Sequence, residues 1–394
     1  MKKSDLIFGF FLVILFLFVL FSINYWNQVT SGEAIEGSKH SLLKMISLVI
    51  VLFCVPVLLE YRTKIRLKGI HGVCLLWVFI MPIVVYINRG LNSDYIFTLL
   101  WPLFFEISYV MISSKNKRMK IFVRFFLVVF CVGFYLFIGA ISAADGKQSN
   151  AIFFPLLTLP WLACIERKYL RVLLLGVLTI AVLFSMKRSS IIVISLVWVI
   201  YGCLTIRNER RKMVALLTVV ILFVVGFFAF DIIDERTGGM ITERLNREET
   251  NEGRNRLAIY EIVGEMQMNS SKLAWVLGHG HNGVWKNSPL EISAHNDIQE
   301  VLYDYGLIIM VLYLCLWWYV IKRSIYLYRI KSPYLFPYLS SLAIFVVMSL
   351  VSHLILYTSY FNFLVIFWGC IEGMIYVERR MKFVRMMQDR EQKK

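Results

Sequence analysis

The run from Leu6 to Ile23 contains no charged residue, and it constrains the chain more than any other feature. A helix needs about 20 apolar residues to cross the hydrocarbon core of a bilayer, and runs of this kind recur along the sequence. Strands of a membrane barrel alternate in segments of about ten residues, so a porin-like barrel is excluded. The 394 residues are 59% hydrophobic and 17% charged, with a mean hydropathy of +0.68. Soluble domains carry about a quarter charged residues, which excludes a water-soluble enzyme. The expected fold is all-α, a polytopic integral membrane protein.

Spans are predicted at about 6–23, 42–59, 70–87, 95–112, 121–141, 150–165, 169–185, 189–206, 213–230, 298–321, 338–355 and 360–377. That makes twelve, by apolar run length and flanking polarity. The sixth is short and interrupted by Pro155 and Pro160. Met1 to Asp5 ahead of an apolar run has the outline of a signal peptide. No small-residue cleavage site follows before Tyr25 and Trp26, so the run is read as an uncleaved first span.

Charge tests this placement. Lys and Arg number 42 against 26 Asp and Glu, a net +16. In a multispanning protein that surplus is first an orientation signal, and no stretch interleaves basic and aromatic residues outside predicted helices as a nucleic-acid groove would. Loops on the N-terminal side hold 29 of the 42; the other side holds 13, of which 7 lie in the single long loop 231–297. The positive-inside bias puts both termini in the cytoplasm and loop 231–297 on the outer face. The predicted organisation is 1–230 for spans one to nine, 231–297 for a periplasmic loop, 298–377 for spans ten to twelve, and 378–394 for a basic cytoplasmic tail. All seven cysteines fall in apolar runs and read as small core residues rather than disulfide or zinc ligands.

Loop 231–297 is too long for a mere connection and too short for a domain with a large core of its own. It is expected to pack on the outer face of the bundle. Within it, Leu257, Ile259, Tyr260, Val263 and Met266 approach helical spacing, which predicts an amphipathic helix over Gly253 to Met268, with or without lipid contact.

Three of the six histidines, His279, His281 and His295, lie in this loop. Histidine is the side chain best suited to accept a proton near neutral pH. His295 precedes Asn296, Asp297 and the tenth span, at a helix start on the membrane surface. His279 and His281 alternate with glycines, either as a Gly-rich turn or as a metal pair without an evident third ligand. Arg188, with Lys187, occupies a minimal outward turn among Ser185, Ser189 and Ser190, against the positive-inside trend. Arg there either clamps an anion bidentately or snorkels at a helix end. Arg254 and Arg256 form a further basic fork or a solvated face. Asp231, Asp234 and Glu235 cluster beyond the ninth span, without the spacing of a known cation loop. Glu106 and Asp304 are intramembrane ionisable residues with no role assigned. No P-loop, dinucleotide fingerprint or nucleophile elbow is present. With no ATP on the outer face, any bond made there needs a pre-activated substrate.

The segment SAHNDIQEVLYDYGL at 293–307 is similar to the His-Asn, short helix, Gly-Leu signature of the O-antigen polymerase and O-antigen ligase superfamily. GRNRLAIYEIV at 253–263, GHGHNG at 278–283 and the Arg in SMKRSS at 185–190 extend the resemblance, as does the long outer loop after the ninth of about twelve spans. The resemblance implies a GT-C-like glycosyltransferase, inverting and metal-independent, with no cofactor. Its donor and acceptor are glycans on undecaprenyl pyrophosphate. Carried residue by residue, it makes His295 the catalytic base and Arg188 and Arg254 the pyrophosphate-binding arginines. Lys187, Arg256, His281 and Asn296 are supporting candidates. It places the protein in the bacterial inner membrane, with chain-length regulator and flippase proteins as candidate partners. Ile308 and Ile309 stand where many members have a second glycine, and His279 and His281 enrich a turn that elsewhere carries glycines, so the sub-branch stays open. Polymerase is favoured over transfer to lipid A-core, because nothing points to lipid A-core recognition. Two other classes compete. A lipid-linked oligosaccharide transporter is expected to show two related halves, and here the sixth span is followed by only Glu166 to Lys168. A scaffold predicts that His295 and Arg188 are replaceable.

Overall fold

The computed structural model describes residues 3–31, 37–61, 69–88, 96–143, 150–185, 187–206, 256–289, 293–352, 354–355 and 358–392. Every regular element among them is helical. In chain order these are α1 (Lys3–Ser31), α2 (Gly37–Glu60), α3 (Ile70–Ile87), α4 (Ile96–Ser114) and α5 (Arg118–Ala143). A 3-10 turn (Asn150–Ile152), α6 (Phe153–Leu157), α7 (Leu159–Ala163), α8 (Lys168–Phe184) and α9 (Arg188–Ile206) follow. Then come α10 (Arg256–Met268), α11 (Lys272–Leu277), α12 (Gly283–Asn287), α13 (Asp297–Arg329), α14 (Leu335–Val351) and α15 (Thr358–Gln392).

Among the described residues eight helices, α1 to α5, α9, α13 and α15, are long and apolar enough to cross a membrane. The protein is a multi-pass membrane protein. Helices α8 and α14 have 17 residues each, about 25 Å at 1.5 Å per residue. The predicted ninth span, 213–230, lies outside the described residues, as do Asp231, Asp234, Glu235 and Arg254. The predicted sixth span differs in kind. It is no single helix but a 3-10 turn and two five-residue helices, broken at Thr158, whose hydroxyl donates to the Pro155 carbonyl at 2.7 Å. Pro155 and Pro160 remove two ladder donors. Every residue from Ala151 to Ala163 is buried. Irregular backbone at membrane depth is tolerated where protein surrounds it.

The centre of the bundle is α4 against α15, because Gly369 and Gly373 are spaced four apart on one face. A Cβ on Gly373 would lie 2.9 Å from the Tyr109 carbonyl oxygen and 2.8 Å from Ile112 Cβ, and one on Gly369 would collide with the Phe105 carbonyl. Small residues at this spacing let helix backbones approach closely in a membrane. Aromatic rings close the surrounding layer: Trp77 on Trp101 (5.1 Å), Trp101 on Phe361 (5.6 Å) and Phe126 stacked on Trp161 (4.2 Å). Gly369→Val is expected to destabilise by about 1–3 kcal/mol or more through overpacking. A lowered melting temperature of the purified protein in detergent checks this; an unchanged one removes the close approach from the account of the fold.

The cysteines do not all read as the sequence predicts. Cys54, Cys74 and Cys370 are buried, whereas Cys131, Cys203 and Cys315 are exposed. Apolar run length does not say which side of a span turns to lipid, and these three turn outward. Glu106 has the partner that the sequence did not reveal. Its two carboxylate oxygens each lie 2.9 Å from His71 Nδ1, in a buried pair between α4 and the start of α3. A buried carboxylate needs such a partner.

Candidate active site

The start of α13 is built by its own polar residues. Asn296 is its N-cap, and its side-chain oxygen accepts from the Ile298 N–H at 2.9 Å. Asn and Asp are preferred there because they satisfy an orphan donor of the first turn. Glu300, one turn in, reaches back to accept from the Ala294 N–H at 2.8 Å. Asp297 is fully buried and reaches across to another segment. Its carboxylate accepts from the Leu354 N–H (2.9 Å) and the Ile355 N–H (3.1 Å), beyond the end of α14, and from the Tyr313 hydroxyl at 3.2 Å. The Tyr313 hydroxyl in turn lies 3.0 Å from Ser349 Oγ.

His295 stands between Ala294 and Asn296, both fixed. Its φ is +53°, in the left-handed region that residues other than glycine seldom visit, Asn, Asp and His more often than the rest. Residues held there cost of order 1–3 kcal/mol and persist where the surroundings over-determine them. The surroundings here are the Glu300 bond on one side and the Asn296 cap on the other. A third hold comes from α10. The Tyr260 hydroxyl donates to the Leu350 carbonyl at 3.2 Å and lies 3.5 Å from the His295 carbonyl, while Gln299 Nε2 donates to the Tyr260 carbonyl at 3.1 Å. Burial pushes the Tyr260 phenol above its ordinary pKa, against the opposing charge of Arg256, so it stays a donor at physiological pH. Arg256, exposed at the first position of α10, lies one turn from this tyrosine.

The Gly-rich turn has a structural reason. α13 is interrupted at Gly306 (φ +73°), so its first part ends with carbonyls that have lost their helical partners. The turn supplies them: the His279 N–H donates to the Tyr303 carbonyl at 2.9 Å and the Gly280 N–H to the Asp304 carbonyl at 2.8 Å. Gly278 (φ +76°) and Gly306 bring two backbones into contact, leaving no room for a Cβ on either. Gly278→Ala is expected to displace the turn and the start of α13 together. Protease susceptibility of 278–306 checks it, and unaltered cleavage counts against the coupling.

The two histidines of the turn are bound separately. His279 stacks on Tyr303 with ring centroids 4.0 Å apart, with Nδ1 3.1 Å from the Tyr303 carbonyl and Nε2 3.2 Å from Ser270 Oγ. Both ring nitrogens are engaged, which disfavours the metal-pair reading. His281 is buried and pairs through Nδ1 with the Tyr305 hydroxyl, while its carbonyl accepts from Lys286 Nζ at 2.9 Å. Asp304, buried, accepts from the Val284 N–H at 2.9 Å and caps α12.

Arg188 opens α9 and is exposed; Lys187 is half-buried, and its N–H donates to Ser185 Oγ at 3.3 Å. The ring of Tyr201 on α9 lies 5.3 Å from that of Phe336 at the start of α14, so these two helices meet there. The sequence does not single out Asp297, Glu300 or Tyr260 as site residues. The signal available for the first two was a helix start written as Asn-Asp-x-x-Glu.

These elements define a polytopic membrane protein with a histidine clamped at one helix start and a basic residue exposed at another. Residues 172–314, from α8 through Arg188 and His295 into α13, match the family model described as O-antigen ligase. The chain therefore carries an O-antigen ligase family domain over residues 172–314, the kind found in membrane glycosyltransferases of envelope polysaccharide synthesis that act on lipid-linked glycans. No curated protein matches the chain.

Proposed function

We propose that this enzyme polymerises O-antigen or a related surface polysaccharide. It moves a glycan from undecaprenyl pyrophosphate to a hydroxyl of a second lipid-linked repeat unit, with inversion and without a metal, on a GT-C-like scaffold. His295 takes the proton of the acceptor hydroxyl as its oxygen bonds to the anomeric carbon. The bond from that carbon to the pyrophosphate oxygen breaks, and Arg188 and Arg254 stabilise the charge that develops on the leaving diphosphate. Lys187 and Arg256 add positive charge nearby, Asn296 fixes the helix start, and His281 supports the turn. Both termini lie in the cytoplasm of a bacterial inner membrane and the site faces outward, in keeping with the 29-to-13 loop asymmetry. Chain-length regulator and flippase proteins are the candidate partners.

The observation that carries this reading is the family match over a stretch containing both Arg188 and His295. That this family is described as O-antigen ligase favours a second reading, transfer of finished polymer to lipid A-core. The test is the purified enzyme in liposomes with a pyrophosphate-linked repeat unit as donor. A ladder formed from repeat units alone supports the polymerase. A product formed only with lipid A-core supports the ligase. No transfer to either, with the donor instead crossing the bilayer, overturns both. In the same assay Arg188→Lys is expected to lower turnover about 10- to 100-fold, because a point charge replaces a bidentate fork. Unchanged turnover removes Arg188 from the site.

A further inference from the structure

We propose that α11 is an interfacial anchor, laid in the leaflet on the His295 side with Leu273 and Val276 among the acyl chains. No residue of this helix is buried, and Leu273 is 66% and Val276 42% exposed. Its place between two spans says what covers it. At its C-terminal end the Leu277 carbonyl accepts from the side chain of Asn88, the C-cap of α3, and the Val276 and Gly278 backbones abut Gly306 of α13. On one side α3 exposes Ile83, Tyr86 and Ile87; on the other α13 exposes Leu307, Ile308, Val311 and Leu314. In a multi-pass membrane protein those outward apolar side chains face lipid, and α11 lies between them.

The depth follows from the break in α13. Before Gly306 the helix buries Asp297, Glu300 and Asp304 among polar partners; after it, apolar side chains turn outward. The membrane boundary therefore falls near Gly306, which is where α11 rests. Lys272 is exposed at its start, and Trp285 is exposed on the neighbouring α12. Lys and Trp are the residues that favour the headgroup level. A short helix with apolar residues toward the acyl boundary is held there by burial of that area. The anchor leads directly into the turn whose N–H groups hold Tyr303 and Asp304, so it sets the height of the His295 helix above the bilayer.

The test uses full-length protein in nanodiscs of phosphatidylethanolamine and phosphatidylglycerol, with Cys131, Cys164, Cys203 and Cys315 replaced by Ala. Nitroxide labels are placed at Leu273→Cys or Val276→Cys, with Leu314→Cys as the lipid reference and Glu261→Cys as the water reference. The ratio of oxygen to nickel-chelate accessibility at 273 and 276 is expected to be several-fold above that at 261 and to approach that at 314. A ratio equal to that at 261 overturns the proposal, and so does low accessibility to both reagents, which means protein covers the helix. A second measurement avoids the cysteine background: benzoylphenylalanine at 273 in the otherwise unaltered chain is expected to give phospholipid adducts on illumination. Cross-linked dimers in place of lipid adducts overturn the proposal.

Discussion

His295→Ala is expected to leave the protein in the membrane at its normal level while lowering transfer by about 10²- to 10⁴-fold, the usual contribution of a positioned general base. In cells the expected picture is a surface polysaccharide ladder reduced to single units, with lipid-linked repeat units accumulating on the outer face. The backbone makes this variant informative. Because His295 is held at φ +53°, Ala carries at least the conformational cost of His, whereas His295→Asn and His295→Gly occupy that region readily. All three remove the imidazole. If activity follows the imidazole, all three are inactive; if it follows backbone strain, Gly and Asn retain it and Ala does not. A wild-type ladder with His295→Ala overturns the catalytic assignment. Full-length polymer held on its lipid carrier supports the ligase reading. Units trapped on the inner face point to transport.

Asp297→Leu is expected to cost more stability than any single change at the exposed arginines. The carboxylate accepts from two backbone N–H groups and one phenol, all buried. Each buried donor left without its partner costs about 1–3 kcal/mol, and leucine satisfies none of them. The link between the start of α13 and the segment after α14 is then lost, and with it the hold on His295. The melting temperature in detergent is expected to fall by many degrees, and turnover with it. Asp297→Asn keeps an acceptor but presents an amide donor to N–H groups, so a partial loss is expected. A variant with unchanged melting and turnover shows that the carboxylate does not position the site.

Much of the architecture was written along the chain. Apolar runs placed α1 to α5, α9, α13 and α15 because transfer into a bilayer is nearly additive over one helix. Of the amphipathic helix predicted over Gly253 to Met268, the described residues form α10, which buries Ile259 and Val263. The motif at 293–307 located His295 at a helix start, and Asn296 is the cap that this position calls for. The 150–165 run misled in form: its composition suits a span, but two prolines leave a chain of turns that only a surrounding bundle can shelter.

What the sequence by itself determined, then, was the solvent in which this chain folds and the lengths of its described spanning helices, and a family signature made His295 and Arg188 candidates. Those rest on local composition and spacing. Only the tertiary structure decided that Asp297 grips residues 354 and 355, that Tyr260 meets Leu350, that His71 answers Glu106, and that three cysteines are exposed. Each of these depends on how a helix is rotated about its axis and which helix lies beside it. Packing of the whole bundle sets that rotation, and a run of apolar residues specifies no one face of itself.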